Sequence, residues 1–297
     1  MDINAPNMRS FFTGLSTAFN TGLNGVPSYW QKVAMRIPSV GSSTDYAWLN
    51  DLPGIREWLG DRIVHSLSGS KYSIENRKFE LTLSVQREKI EDDQYGIYGP
   101  LFEKMGNDTG IFPNELVFTL LAEGASKKCF DGQYFFDVDH VGYDAAGNEI
   151  AASNIAAGDG PAWYLLDCSQ PIKPLIFQER VPFSLQSITD PNDREVFMKD
   201  TYLYGVRGRS NAGFGLWQLA YCSKKPLTPD NFEAARTAMT SLRKVNGKPL
   251  GVMPTHLVVP PSLDATSRKL LKAQLIDGGN SNIWVDAAEP IVTPFIG

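Results

Sequence analysis

The 297-residue chain has little of what marks secreted, membrane-spanning or metal-clustered proteins. Cysteine is scarce and odd in number, and no C-x-x-C pair occurs. This argues against a disulfide framework or a zinc site and favours buried thiols in a reducing compartment. No apolar run approaches the roughly 18 residues of a membrane span, and no signal-peptide pattern is visible. The cysteines are Cys129, Cys168 and Cys222.

Sequence motifs of common enzyme classes are also missing. No serine lies in a G-x-S-x-G elbow, and no G-x-x-x-x-G-K-[ST] loop is present to bind nucleotide phosphates. The glycine-rich stretch 205–215 matches no dinucleotide-binding pattern, and a turn between two strands explains its glycines. The residues therefore argue against catalysis, and no catalytic residue, metal ligand or cofactor is predicted.

Positive charge is in short supply as well. The chain has 28 basic and 33 acidic residues, for a formal net charge of −5, whereas proteins that bind DNA tightly usually carry a basic patch. The basic residues are scattered, with small clusters at Arg207 and Arg209 and at 268–272. Net acidity does not exclude contact with DNA, but it argues against DNA binding as the main role.

What the chain does have is an unbroken period-two stretch in its first third. Residues 78–87 alternate polar and apolar side chains, which predicts a half-buried strand. Upstream, residues 44–64 place three aromatics around a turn before a second extended run, and only a polar tip at 66–71 separates the two. We interpret the pair as a long two-stranded arm with little core of its own, suited to gripping a neighbour. Its apolar face comprises Phe79, Leu81, Leu83 and Val85.

Two helical segments flank this arm. Before it, apolar residues recur at every fourth position from Phe11 to Leu23, typical of an amphipathic helix that either docks on another molecule or packs on its own domain. After it, an apolar helical period runs from 101 to 120, interrupted by two glycines and a proline. Because proline in mid-helix removes a backbone hydrogen bond, the pattern predicts two helical pieces or one long helix with a bend.

The composition changes three times in the rest of the chain. Residues 126–160 are rich in glycine and alanine and predict a mobile surface insertion. Residues 163–221 carry short aromatic runs punctuated by glycine and proline, typical of strands. After that, Thr228 and Pro229 form a helix start, followed by a buried strand at 255–260 and another helix. Together the segments predict an α+β protein whose last third is α/β.

An acidic run at 130–142 is the best candidate for metal chemistry. Counted as a calcium loop that starts at Asp137, it has the aspartate and glycine of positions three and six. Its fifth and twelfth positions are Val141 and Asn148, where an oxygen ligand and a bidentate glutamate belong. A β-turn with solvated acids is therefore favoured. The side chains that could still gather around a cation are Asp131, Asp137, Asp139 and His140.

Several long and idiosyncratic stretches resemble the major head proteins of Mu-like tailed bacteriophages, whose fold belongs to the HK97-type capsid group. The resemblance covers almost the whole chain. It is carried by YAWLNDLPGIREWLGDR (46–62), YSIENRKFELTLSVQREKIEDDQYGIYGPLF (72–102), NELVFTLL (114–121), CFDGQYFFDVDH (129–140), WYLLDCSQPIKPLIFQER (163–180), YGVRGRSNAGFGLWQLA (204–220) and GKPLGVMPTHLVVPPSL (247–263).

The resemblance implies an α+β chain of the HK97 type with four parts. Residues 1–45 would form an N-terminal arm, and 46–94 an extended β-hairpin called the E-loop. Residues 95–225 would form the peripheral domain. Residues 226–297 would form an α/β axial domain and a C-terminal strand.

Within the peripheral domain, the resemblance implies a long spine helix at 95–125. The loop insertion 126–160 and a β-rich segment at 161–225 would follow it. In more familiar relatives similar strands follow the axial helices, whereas here they precede them.

The resemblance also implies a function. The chain would form hexamers and pentamers of an icosahedral head shell that encloses double-stranded DNA in the virion, after assembly in the bacterial host cytoplasm. Its partners would be copies of itself, a scaffold protein, a portal at one vertex, a decoration protein and, by weak non-specific contact, DNA; no membrane is expected. The precursor shell would expand as arms and spine helices re-angle, with a spine bend at Gly106, Gly110 and Pro113.

A shell protein needs extended elements that bury apolar area against several neighbours. At roughly 25 cal/mol per Å² such contacts stabilise an assembly by many kcal/mol before the cost of ordering. We expect these contacts to be non-covalent. The residues expected to form them are Phe11, Trp48, Arg56, Glu57, Trp58, Phe79, Leu81, Leu83, Arg207 and Arg209.

Two other classes stay open at this point. A nanocompartment shell of the encapsulin-like kind has the same fold but would enclose an enzyme instead of DNA. A metal-dependent hydrolase would use Asp137, Asp139 and His140. Stoichiometric bound metal, lost together with activity in Asp139→Ala, would support the hydrolase.

Overall fold

The computed structural model describes residues 5–46, 72–92, 95–275 and 279–297. The helices in these ranges are α1 (Ala5–Gly25), α2 (Trp30–Val33), α3 (Arg87–Glu91), α4 (Tyr95–Ala122), α5 (Arg194–Lys199), α6 (Pro229–Thr240) and α7 (Asp264–Leu271). The strands are β1 (Ala34–Pro38), β2 (Ser43–Asp45), β3 (Ser73–Glu75), β4 (Arg77–Gln86), β5 (His140–Tyr143), β6 (Glu149–Ala152), β7 (Ile155–Ala156), β8 (Trp163–Leu166), β9 (Leu175–Ile188), β10 (Thr201–Phe214), β11 (Ala220–Ser223), β12 (His256–Val259) and β13 (Glu289–Val292). Helices and strands are both abundant, so the predicted α+β class is confirmed.

A four-stranded sheet with the order β1-β9-β10-β4 contains the two longest strands. β9 and β10 have 14 residues each, run antiparallel and are joined through α5. Tyr202, Tyr204 and Val206 of β10 are buried on one face, where they join apolar residues of α1 and α4 in a compact cluster. The residues that alternate with them on β10 are more exposed, as period-two geometry requires.

A five-stranded sheet with the order β13-β12-β8-β11-β7 lies in a second hydrophobic cluster, separate from the one around Tyr204. All four residues of β8 are buried, which fits a central strand covered on both faces. α6 begins as the sequence predicts, because the Thr228 hydroxyl accepts a hydrogen bond from Asn231 N (3.3 Å) and Pro229 occupies the first turn.

This second sheet crosses the domain boundary predicted at residue 225. β8 and β11 come from the segment assigned to the peripheral domain, yet β8 pairs with both β11 and β12. The sequence places a boundary where composition changes, whereas backbone pairing joins strands that lie about 90 residues apart along the chain. The segment 161–225 thus contributes strands to both sheets, and the boundary at 225 stays a prediction.

The segment 126–160 is also more ordered than its composition predicts. It forms the hairpin β5–β6 and supplies β7 to the five-stranded sheet. Phe135 and Phe136 are buried, and the buried Asn154 Nδ2 donates a hydrogen bond to Phe135 O (2.8 Å). Aromatic residues at 130–136 thus anchor in the core a segment whose composition predicted a mobile surface insertion.

α4 is one continuous helix of 28 residues that contains Pro100 and Pro113. The structure thus selects the single long helix over the two separate pieces. A 3₁₀ turn at 123–125 extends it. Within the described ranges, no helix is long and apolar enough to cross a membrane.

Candidate assembly surfaces

A short antiparallel ladder brings together the two ends of the segment 47–71. Asp45 of β2 lies opposite Ser73 of β3, and Tyr46 N donates to Tyr72 O at 2.8 Å. The chain therefore leaves this region and re-enters it side by side, at the place where the arm was predicted to begin. Four of the predicted contact residues, Trp48, Arg56, Glu57 and Trp58, lie outside the described residues.

A buried polar network fixes the base of that segment. Gln178 of β9 is fully buried. Its Oε1 accepts a hydrogen bond from the Tyr46 hydroxyl (2.8 Å), and its Nε2 donates to Ile74 O and to Asn76 Oδ1 (2.9 Å each). Burial raises the pKa of Tyr46 to about 12, so the hydroxyl keeps the proton that it donates. A buried amide whose polar atoms all have partners holds one geometry.

β4, the predicted half-buried strand, pairs with β10 rather than standing in a free arm. The antiparallel register runs from Arg77 opposite Ser210 to Gln86 opposite Thr201. Within the predicted E-loop, 46–94, residues Arg77–Gln86 thus form an edge strand of the four-stranded sheet. The bounds of the E-loop stay a prediction. The alternation located the strand but carries no information on its partner, which lies more than 100 residues away.

The predicted contact residues of β4 divide into two kinds. The ring of Phe79 packs on Phe112 of α4, and Leu83 packs against the cluster around Tyr204. Leu81 is 41% exposed. Phe79 and Leu83 therefore bury most of their side-chain surface within the subunit, whereas Leu81 is available for contact with a neighbour.

Arg207 and Arg209 were both predicted at the interface. They lie on the face of β10 opposite to the buried Tyr204 and Val206. Arg207 is exposed and lies opposite Glu80 in the ladder. Arg209 is half-buried, and its Nε has no hydrogen-bond partner within the described ranges. Register shifts between β9 and β10 surround Arg209, and such bulges redirect side chains locally.

The open edge of β9 is protected against simple strand addition. β1 covers β9 only as far as Glu179, and the rest of β9 has no second partner in the described part of the chain. Pro182 lies in this open stretch, where it cannot donate a backbone hydrogen bond. Bulges and proline on an edge strand discourage pairing between sheets, so side-chain surfaces are better candidates for contacts between copies.

One such surface, the α5 tip, was missed by the sequence analysis. Phe197 and Met198 are 79% and 70% exposed at the turn between β9 and β10. α5 itself is held firmly: Asp193 caps it by accepting from Glu195 N (2.9 Å), and Val196 is buried. The available signal was three adjacent apolar residues, VFM, in the charged turn DPNDREVFMKD, which cannot all face one core.

α1 packs on its own subunit, which decides between the two interpretations left open for it. Leu15 and Phe19 are buried, and the Phe11 ring meets Tyr98 of α4 edge-on at 6.3 Å between centroids. Phe11 was expected to contact a neighbour, and in this structure its ring packs on Tyr98 of the same chain. Fourfold spacing identifies an apolar helix face and does not say which surface covers it.

The glycines of the predicted spine bend have a packing role in this structure. A Cβ on Gly106 would lie 2.0 Å from Phe19 O, and a Cβ on Gly110 would lie 2.7 Å from Leu23 O. Only glycine allows the backbones of α1 and α4 to approach this closely. α4 also continues through Pro113 as helix, so the bend itself stays a prediction.

The acidic run does not assemble into a metal site. In the described part of the chain, no group of three or more histidine, cysteine or acidic residues could hold an ion. The Asp137 carboxylate instead accepts from Val138 N (2.8 Å) and Tyr134 N (3.3 Å), and Asp139 is exposed. The interpretation as turn acids is supported, and the proposed set Asp137, Asp139 and His140 is not brought together around a cation.

His140 has a structural environment of its own. It is fully buried, stacks on Trp217 at 4.1 Å, and its Nδ1 lies 2.8 Å from Asp131 Oδ2. Cys129 Sγ donates to the other oxygen of Asp131 (3.1 Å). Desolvation raises the Asp131 pKa, but hydrogen bonds from His140, Cys129 and Gln133 outweigh it and hold the pKa below its usual value.

The three thiols are poor nucleophiles. Burial raises the pKa of Cys168 and of Cys222 to about 12. Burial, followed by the neighbouring Asp131 charge, raises the pKa of Cys129 as well. Because the thiolate is the reactive form, we interpret Cys129 and Cys222 as small core residues and Cys168 as a half-buried residue packed against the core.

Comparison with known proteins agrees with the head-protein resemblance. The family model described as Mu-like prophage major head subunit gpT matches residues 8–296. The Mu-like prophage FluMu major head subunit of Haemophilus influenzae is 44% identical over 90% of this chain and 89% of its own. The major capsid protein of Escherichia phage Mu is 39% identical over 95% of both chains.

Solved structures give the same answer. The procapsid subunit of bacteriophage JBD30 is 40% identical, covers 99% of this chain and 100% of its own, and superposes with a TM-score of 0.87. The JBD30 capsid subunit is 28% identical over the full length of both chains, with a TM-score of 0.79. Neither the nanocompartment nor the metal-dependent hydrolase is supported by these matches.

These relatives are structural capsid proteins and not enzymes. Their similarity extends over nearly the whole chain, so the function of the whole chain follows from them. The chain belongs to the family of Mu-like prophage major head subunits, and it is a major capsid protein that builds the head shell of the virion.

Proposed function

We propose that copies of this chain join into hexamers and pentamers, and that the segment 47–71 of each copy reaches over a neighbouring subunit. The observation that best supports this is the buried anchor at the base, where Gln178 joins Tyr46 to Ile74. An extended segment can contact a neighbour at a defined place only if its base is held in one orientation. A buried amide with all its hydrogen bonds made holds the base in this way.

The two sheets support a revised division into domains. In our proposal, the four-stranded sheet together with α1 and α4 forms the peripheral domain. The five-stranded sheet with α6 and α7 forms the axial domain, and it takes strands from both sides of residue 225. The E-loop would then consist of the ladder β2–β3 and the segment between them.

The α5 tip is proposed as a contact between copies. Its exposed side chains, Phe197 and Met198, lie among charges of both signs, Arg194 and Glu195 before them and Lys199 after them. Such mixed charge suits a like copy better than DNA, which would favour a uniformly basic surface. Two side chains bury far less than the roughly 1,200–2,000 Å² of a stable interface. The contact would therefore act only together with others in a closed shell.

The described conformer is proposed to be that of a precursor shell. This is supported by the higher TM-score with the JBD30 procapsid subunit than with the capsid subunit. Expansion would re-angle the arms and spine helices after a scaffold has directed assembly and DNA has entered through a portal.

Two further partners are proposed, packaged DNA from the net charge of the chain and a decoration protein from a solved relative. The net charge of −5 supports only weak, counterion-mediated contact with packaged DNA. One solved relative is the capsid of JBD30 decorated with minor capsid protein trimers. We propose that shells of this chain also bind a decoration protein.

Replacing residues 48–70 by a short Gly-Ser turn tests the arm. This variant keeps Tyr46, Tyr72 and the Gln178 anchor, unlike a deletion that removes β3. The subunit should stay soluble, with the circular dichroism and Tm of the parent chain, but electron micrographs should show no closed shells. The parent chain, expressed in parallel, must form shells; normal shells from the variant would contradict the role of the arm.

A further inference from the structure

The spine helix α4 has an unfavourable sequence for a helix. Its 28 residues include the glycines Gly96, Gly99, Gly106 and Gly110, and the prolines Pro100 and Pro113. Glycine and proline are the two least favourable residues in a helix interior, and a proline also leaves the carbonyl four residues earlier without its partner. α4 is nevertheless continuous from end to end. Tertiary contacts must therefore hold it.

α1 provides these contacts at a distance that only glycine permits. A Cβ on Gly22 of α1 would lie 1.9 Å from Glu103 O of α4, and a Cβ on Gly106 of α4 would lie 2.0 Å from Phe19 O of α1. The contact is thus reciprocal, with a glycine of each helix against a carbonyl of the other. We call the contact of Phe19, Gly22 and Leu23 with Glu103, Gly106 and Gly110 the glycine seam.

Side chains on both sides of the seam extend the contact. Leu15 and Phe19 of α1 are buried in the same cluster as Phe102 and Met105 of α4. This cluster also contains Tyr204 of β10, which the Phe102 ring meets edge-on at 5.1 Å. α1 is therefore enclosed in the body of the subunit through α4 and the four-stranded sheet.

A polar clamp closes the seam next to Pro113. Asn114 is buried; its Oδ1 accepts from Trp30 N (2.8 Å), and its Nδ2 donates to Pro27 O (3.0 Å). The chain that follows α1 is thereby bonded to α4 immediately after its second proline. The seam and the clamp together span α4 from Glu103 to Asn114.

We propose that α1 is a splint for the spine helix and not an exchangeable arm. α4 stays continuous at Gly106, Gly110 and Pro113 because α1 and the chain after it lie against this part, and a bend at 106–113 requires the glycine seam to open or slide first. This differs from the N-terminal arm that the resemblance implied for residues 1–45, since at least 5–25 belong to the subunit body. The splint sets the resistance of each subunit to a change of shell form.

Alanine substitution separates this role from helix propensity. Judged by propensity alone, Gly106→Ala should stabilise α4. With a splint it should do the opposite, because the added Cβ would clash with Phe19 O. We expect the Tm of the soluble full-length subunit to fall by about 5 °C or more. The matched controls are Gly99→Ala in α4 and Gly14→Ala in α1, where a Cβ has no neighbour within 4 Å; their Tm should stay equal or rise.

Hydrogen exchange gives a second readout if Gly106→Ala fails to fold. Gly110→Ala is milder, because its Cβ would lie 2.7 Å from Leu23 O. Amides of α4 near 103–114 should exchange tenfold or more faster in this variant, while amides of β8 keep the protection of the parent chain. A Gly106→Ala subunit that behaves like Gly99→Ala, or unchanged exchange in Gly110→Ala, would overturn the splint. Shell formation by the parent chain reports on the proposed function separately.

Discussion

The ring of Phe79 on β4 lies 4.5 Å, centroid to centroid, from the ring of Phe112 on α4. Phe112 in turn meets Phe183 of β9 edge-on at 5.9 Å. These three aromatic side chains tie an edge strand, the spine helix and a central strand of the four-stranded sheet together. The apolar face of β4 thus contributes to the subunit's own packing before any neighbour is present.

Phe79→Asp should behave as a core substitution. A carboxylate in contact with Phe112 loses the aromatic packing and becomes partly desolvated, so we expect a loss of about 3–4 kcal/mol in the free energy of unfolding. Urea denaturation of the soluble subunit measures this. The matched control is Leu81→Asp on the same strand, which is 41% exposed and should change subunit stability by less than about 1 kcal/mol while reducing shell yield. Equal stability of the two variants would contradict the internal role of Phe79.

Tyr46→Phe should loosen the base of the arm. The change leaves Gln178 Oε1 buried without its donor, which costs about 1–3 kcal/mol of unfolding free energy. Thermal unfolding of the subunit and the rate of proteolysis near 72–76 measure the effect. The control is Tyr134→Phe, whose side chain is largely exposed and whose loss should be near zero. A Tyr46→Phe subunit as stable as Tyr134→Phe would show that the hydroxyl does not hold the base.

The double variant Phe197→Ser/Met198→Ser should separate folding from assembly. Both side chains are exposed, so the Tm of the subunit should stay within about 2 °C of the parent value. The yield of closed shells in electron micrographs should fall several-fold, because a contact at the α5 tip is lost. Val40→Ser, an exposed apolar residue elsewhere, is the control. Full shell yield from the double variant, with or without loss of decoration-protein binding, would contradict the contact between copies.

Asp131 should make the free energy of unfolding of the subunit fall at low pH. Its pKa is lower in the folded state than in the unfolded chain, so its contribution to stability is present above about pH 4 and is lost as the pH falls through the folded pKa. The carboxylate is 24% exposed, which limits the contribution. Asp131→Asn should therefore cost about 1–2 kcal/mol at pH 7 and clearly less at pH 3. The control is Asp139→Asn, at an exposed acid of the same turn; a pH-independent difference for Asp131→Asn would contradict the argument.

Thiol labelling should distinguish the folded chain from the unfolded one. Because burial raises the pKa of Cys168 and Cys222 to about 12, almost no thiolate is present at pH 8. Iodoacetamide should leave the native subunit unlabelled over an hour and modify all three cysteines in urea, as mass spectrometry would record. Rapid labelling of any one cysteine in the native subunit would show that its site opens readily.

Local sequence signals located several elements closely. The alternation at 78–87 predicted β4, which spans Arg77–Gln86. The cap at Thr228 and Pro229 marked the start of α6, and the fourfold apolar spacing marked α1. These predictions succeed because period and capping depend on neighbours within one turn or one pleat.

The predicted contact residues differ in their surroundings. Leu81 and Arg207 are exposed as expected of contact residues, whereas Phe11 and Phe79 pack within the subunit. An apolar face must be covered, but the pattern does not say whether the cover belongs to the same chain or to another. The α5 tip was missed because its importance lies in exposure, which only the folded chain defines.

By itself, the sequence determined the α+β class, the extent of its clearest helices and strands, and membership in a family of head-shell proteins. Tertiary structure alone decided that β4 joins β10, that β8 joins β12, and that the glycines of α4 serve close contact with α1. The physical reason is range. Propensity, period and capping act over a few residues, whereas strand partners and helix seams depend on which distant surfaces fit when the chain closes on itself.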